Sequence, residues 1–136
     1  SIKFKEHTGY NEIIKFIKRV KQNKKMTLDF IKKNIKKGKK IFLFGASTKG
    51  NTLLQYYGLT NKEIPFAAER SKTKWGKYTV GSGVKIISEE DARKLNPDYF
   101  FVMPYGFINE FLIREKNWLN KGGKFLIPYP RLKVVK

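Results

Sequence analysis

Cysteine is absent and histidine occurs once, at His7. No disulfide can form, no thiolate metal site can assemble, and one imidazole does not make a metal cluster. No nucleophile–base pair is defensible from spacing either, so no catalytic residue and no metal ligand is assigned. Apolar runs approaching the ~18–20 residues of a membrane span are missing, and no secretory leader pattern is present. A reducing cytoplasm is the expected location, and no membrane partner is expected. Acidic residues are scarce too, 11 against 30 basic ones, for a formal charge of +19. Arginine is the minority cation, at 5 of those 30. Base readout and bidentate phosphate clamps favour arginine, so scattered lysine reads as solvated surface before it reads as a nucleic-acid footprint.

Present instead is Ile41-Phe42-Leu43-Phe44-Gly45-Ala46-Ser47-Thr48-Lys49-Gly50-Asn51, followed by Thr52-Leu53-Leu54-Gln55-Tyr56-Tyr57. Four consecutive apolar residues predict a strand buried on both faces, and the glycine-flanked turn leads into a helix that stops at Gly58. A strand turning tightly into a helix aims free N–H groups beyond the strand end, which suits a phosphate. The dinucleotide pattern G-x-G-x-x-G finds Gly45 and Gly50 but has Ser47 at its second glycine. The pattern G-x-x-x-x-G-K-[ST] finds Gly45, Gly50 and Thr52 but has Asn51 in place of lysine. A triphosphatase loop is excluded. Ser47, Thr48, Lys49 and Asn51 nonetheless supply hydroxyls, an ammonium and an amide suited to one or two phosphates.

At 136 residues the chain is expected to form one structural domain around one core. Residues 1–8 read as an arm. Apolar positions from Ile13 to Ile35 fall near a 3.6 period, predicting one long helix, or two meeting near Asn23, ended by Gly38. Residues 1–40 hold 14 basic and 3 acidic side chains. Residues 1–38 are therefore taken as a basic arm and linker-type helix, and 39–136 as the main unit. Ile64–Ala68 predicts a second strand, with Glu69-Arg70 at its end and a long loop from Ser71 to Gly83. Val84–Ile87 reads as a short strand or an extended lead-in. Ser88-Glu89-Glu90-Asp91 matches a capping box. Asp98–Met103 predicts a further strand, Phe107–Leu119 a helix, and Lys124–Ile127 the last strand. Strands alternating with helices imply a Rossmann-like α/β fold, a parallel sheet covered on both faces and preceded by a long N-terminal helix. Ligands in such folds sit beyond the C-terminal strand ends. Lys74 and Tyr105 are added there as candidate pocket residues.

Four stretches together carry a resemblance: Phe44–Leu53, Ala67-Ala68-Glu69-Arg70, Lys74-Trp75-Gly76-Lys77-Tyr78-Thr79-Val80-Gly81 and Pro97-Asp98-Tyr99-Phe100. In that order they resemble the C-terminal domain of the S-adenosylmethionine-dependent sugar C-methyltransferases, over about residues 10–130. The resemblance implies a nucleotide-binding module for a deoxysugar substrate. Ser47, Thr48, Lys49 and Asn51 would contact the nucleotide phosphates, and Glu69 and Arg70 ribose or phosphate. S-adenosylmethionine, zinc and the catalytic base would belong to preceding domains, which become partners of this one. The family often carries an aromatic–His pair where Tyr105-Gly106 stands, and Gly106 supplies no imidazole. The start at Ser1 fits an excised segment, inactive alone in methyl transfer. Two other readings stay open: an NAD(P)-binding Rossmann domain using Glu69 on a ribose, and a basic nucleic-acid-binding protein using the first helix.

Overall fold

The computed structural model describes residues 2–102 and 108–136, with side chains described from residue 9 onward. Its first element, α1, is a single helix over Ile2–Lys36. The predicted arm over residues 1–8 is corrected, because the backbone is helical from Ile2. No break occurs near Asn23. Thr27, Ile31 and Asn34, at helical spacing, are buried, whereas Tyr10, Ile13, Phe16 and Ile17 are exposed. Only the second half of the apolar stripe therefore enters the core.

Strands β1 (Ile41–Phe44), β2 (Phe66–Glu69), β3 (Lys85–Ser88), β4 (Tyr99–Phe101), β5 (Lys124–Ile127) and β6 (Lys133–Val135) form one sheet in the order β3-β2-β1-β4-β5-β6. The first five run parallel, and β6 pairs antiparallel with β5. Lys124–Ile127 is thus not the last strand, and the sheet is mixed at one edge. β6 pairs through only three residues after the Pro-Tyr-Pro stretch, too short to impose a period on the sequence. The other predicted strands form with shifted ends: Ile64–Ala68 is observed as Phe66–Glu69, Val84–Ile87 as Lys85–Ser88 and Asp98–Met103 as Tyr99–Phe101, Met103 lying outside the described residues.

Alternation of side chains divides the core. Ile41, Leu43, Tyr99, Phe101 and Leu126 face a cluster shared with α1 and α2 (Thr48–Tyr57). Phe42, Phe44, Phe100, Val102 and Phe125 face α3 (Glu89–Lys94), α4 (Ile108–Arg114) and α5 (Lys116–Asn120). The single helix predicted over Phe107–Leu119 is split at Glu115, while Phe107 lies outside the described residues. Glu115 has no side-chain exposure, and Arg93 grips it through Nε at 2.7 Å and Nη2 at 2.6 Å. Helical hydrogen bonds still run through this position, from the Glu115 N–H to Phe111 O at 2.8 Å and from the Leu119 N–H to Glu115 O at 2.9 Å.

Candidate functional site

The chain steps from β1 to β2 and β3 on one side, then returns to β4 on the other. A crevice beyond the β1 and β4 ends is the usual ligand position in such sheets. Gly45 opens it with φ of 88°, a left-handed conformation that glycine adopts without strain, and its N–H reaches Ala68 O at 2.7 Å. The chain then turns sharply into α2. Ser47 is the N-cap, its Oγ accepting the Gly50 N–H at 3.0 Å. Gly58, at φ of 71°, closes the helix. Ser47, Thr48 and Lys49 are exposed on the first turn, and Gly50 is buried beneath it. The Ser47 and Thr48 N–H groups make no hydrogen bond among the described residues. Such groups at a helix start carry partial positive charge and suit an anion.

Glu69 supports this turn from below. Oε1 accepts the Ala46 N–H at 3.1 Å, and Oε2 accepts the Ser71 N–H at 2.9 Å. Lys74 Nζ lies 3.7 Å from Oε1 and donates to Ala46 O at 3.3 Å. Burial pushes the Glu69 carboxyl upward, but the Ser71 and Ala46 N–H groups and the Lys74 charge outweigh it, holding it below its ordinary value. Glu69 is therefore ionised at neutral pH and partly committed to bracing. Lys74 is likewise turned to the brace. Arg70 stands exposed beside them.

Asn51 is placed differently from its neighbours. Its Nδ2 donates to Val80 O at 2.8 Å and its Oδ1 accepts from Ser82 Oγ. Gln55 Nε2 donates to the same Val80 oxygen at 2.9 Å. The amide thus ties the Ser71–Gly83 loop to α2. Trp75 Nε1 adds a bond to Glu69 O at 2.7 Å. Tyr105 lies outside the described residues, as does the predicted Pro104–Phe107 wall of the crevice, and the His7 side chain is not described.

Two cavities lie near the turn between β1 and α2. One, of about 290 Å³, includes Phe44, Gly45, Glu69, Arg70, Glu110 and Arg114. The other, of about 450 Å³, lies between α1, α2 and Tyr129 and reaches Thr48 and Lys49. The second was not anticipated from the sequence. Tyr56 and Tyr57 were visible on the α2 helix, but nothing local places Asn23 or Tyr129 opposite them.

Comparison with known proteins decides the family. The model of the C-methyltransferase C-terminal domain matches residues 2–130. The chain belongs to that family. A relative, the C-methyltransferase NovU of Streptomyces niveus, is 37% identical over 98 residues, which are 72% of this chain and 23% of the relative. The matched part is thus about a quarter of that protein's length. In this C-methyltransferase domain, no group of three His, Cys, Asp or Glu side chains gathers as a metal-ligand set among the described residues. No helix among them is long and apolar enough to cross a membrane.

Proposed function

We propose that this C-methyltransferase domain holds the diphosphate of a nucleotide-linked keto-deoxysugar for S-adenosylmethionine-dependent methylation in the cytoplasm. The observation carrying the reading is the exposed first turn of α2 at the sheet's switch point, where Ser47, Thr48 and Lys49 stand exposed and the Ser47 and Thr48 N–H groups make no hydrogen bond among the described residues. The phosphates lie against that turn, and Glu69 and Arg70 bound the crevice beside it. Lysine and N–H dipoles attract the diphosphate, while the ionised Glu69 keeps the turn's shape without entering the chemistry.

The remainder of the parent enzyme, in this reading, supplies the zinc-binding region, the methyl donor and the base. Removal of a proton beside the keto group gives an enolate, whose carbon takes the methyl group. This chain's residues bind and orient, and the domain alone does not transfer methyl groups.

A thermal-shift series at fixed ionic strength tests this, using dTDP, UDP, GDP, NAD, S-adenosylmethionine and a short DNA duplex against the wild type and Lys49→Ala. Stabilisation by a nucleoside diphosphate, lost in Lys49→Ala, is the expected result. Stabilisation by NAD alone, or by DNA alone with a steep fall as salt rises, would overturn it.

A further inference from the structure

Arginine is used sparingly in this lysine-rich chain, and its positions are not equivalent. Arg93 and Arg114 hold carboxylates of the chain itself, Arg93 on Glu115 at 2.6 Å and Arg114 on Glu89 at 2.8 Å. Arg70 stands in the crevice with Glu69. The other two, Arg19 and Arg131, come from opposite ends of the sequence, are exposed, and line one groove. Neither makes an ion pair or a side-chain hydrogen bond among the described residues. We propose that this groove docks an acidic peptide segment of a partner protein, whose carboxylates the two guanidinium groups receive.

The groove runs between α1 and the Pro128–Leu132 connection that leads from β5 to β6. Two cavities of about 280 and 390 Å³ make it up, and both are lined by Arg19, Asn23, Pro130 and Arg131. Phe16, Arg19, Asn23 and Met26 recur every three or four residues, so they stand on one side of α1. The opposite wall is held at both ends. Asn23 Nδ2 donates to Pro128 O, and Leu132 packs against the core cluster beneath α1. The groove is therefore shaped before a partner arrives, which lowers the ordering cost of docking. No residue of the Gly45–Asn51 turn lines either cavity, so the site is separate from the proposed phosphate position.

Its chemistry selects the occupant. No Asp or Glu lines either cavity, so the guanidinium forks face outward for an incoming carboxylate, which they fit by two parallel bonds. Phe16 and Met26 are 50% and 60% exposed beside them and offer apolar surface to a neighbouring side chain. A peptide with acidic residues around an apolar one meets both features. The aliphatic walls at Val20, Met26 and Leu132 have no use for a sugar–phosphate strand. A second copy of this chain would bring another +19 charge to an already basic surface, and the two would repel. The same excess of charge steers an acidic partner inward.

Selection of a random heptapeptide display library on the immobilised chain, run in parallel on the double variant Arg19→Gln/Arg131→Gln, tests the assignment. The wild type is expected to enrich sequences with acidic residues around an apolar one, and the double variant to enrich none of them. The enriched peptide, synthesised with blocked ends, should bind the wild type in calorimetry about 10-fold more tightly than it binds either single glutamine variant. Arg19→Lys and Arg131→Lys keep the charge but lose the planar fork, so each should still weaken binding several-fold. Both arginines are exposed, so every variant should melt with the wild type. Absence of acidic sequences from the wild-type selection, or their equal enrichment by the double variant, overturns the proposal. Wild-type affinity in both lysine variants also overturns it, because diffuse positive charge would then account for binding. A dimer in sedimentation that the double variant loses would overturn it in favour of a second copy. Tighter binding of a short oligothymidylate than of the peptide, at equal salt, would overturn it in favour of nucleic acid.

Discussion

Glu69 Oε1 accepts the Ala46 N–H at 3.1 Å, joining the end of β2 to the turn that follows β1. Two strands' ends are thereby locked in one geometry at the place where the phosphates are proposed to lie.

This bond gives stability a pH signature. The carboxyl is held below its ordinary value of 4.5 in the folded chain, so its contribution is complete above that value and is lost as pH falls through the lower, folded one. Glu69→Gln should cost about 1 kcal/mol at pH 7. In urea titrations the gap between wild type and variant should persist down to about pH 5 and close below the ordinary carboxylate value. A gap that stays constant down to pH 2 would contradict the assignment.

A larger loss is expected where α3 meets the start of α5. Arg93 holds the fully buried Glu115 by two bonds, and the Glu115 hydrogen bond is the main cause keeping the guanidinium charged beyond its ordinary range. Arg93→Ala strands a carboxylate and should cost about 3 kcal/mol, softened by Arg114 Nε at 3.8 Å from Glu115 Oε2. Arg93→Ala combined with Glu115→Gln should recover part of that loss in a double-mutant cycle. Additive losses would show that the two residues do not act together.

Gly123 offers a purely steric case. A Cβ there would stand 2.2–2.6 Å from three atoms of the Trp118 ring, which is itself fixed by its bond to Pro97 O at 2.9 Å. Gly123→Ala should destabilise by about 1–3 kcal/mol, the range for forced overpacking. Trp118 emission should shift as the ring moves. An unchanged melting curve and spectrum would mean the turn relaxes freely.

Asn51→Ala removes two bonds to the Ser71–Gly83 loop while leaving Gln55 on Val80 O. The expected cost is about 1 kcal/mol. Tryptic cleavage within the loop, at the exposed Lys72, Lys74 or Lys77, should accelerate several-fold. Unaltered cleavage would show that the amide does not secure the loop.

Much of this fold was legible in short stretches. Ile41–Phe44, Gly58 and the Ser88 cap are local devices, and all three are built as the sequence implies: Ser88 Oγ accepts the Asp91 N–H at 3.0 Å, whereas Ser47, read from the sequence as a phosphate contact, uses its Oγ to cap α2. What was hidden depends on distant partners. Glu115 is buried against Arg93, 22 positions away. Asn51, chosen from the sequence for its polar amide near a phosphate turn, is turned to Val80, 29 positions on. Lys74 is drawn to Ala46 and Glu69. The second cavity requires Asn23 and Tyr129 to meet across α2, a juxtaposition that no periodicity encodes.

The shared acceptor at Val80 has a mechanical consequence. Asn51 and Gln55 lie one helical turn apart, and both grip one carbonyl oxygen. Two grips along the axis resist spinning of α2 as well as sliding, because any roll about its long axis must lengthen both bonds together. The N–H vectors at its first turn thus keep a fixed bearing before any anion arrives, and the entropy of aiming them is spent during folding.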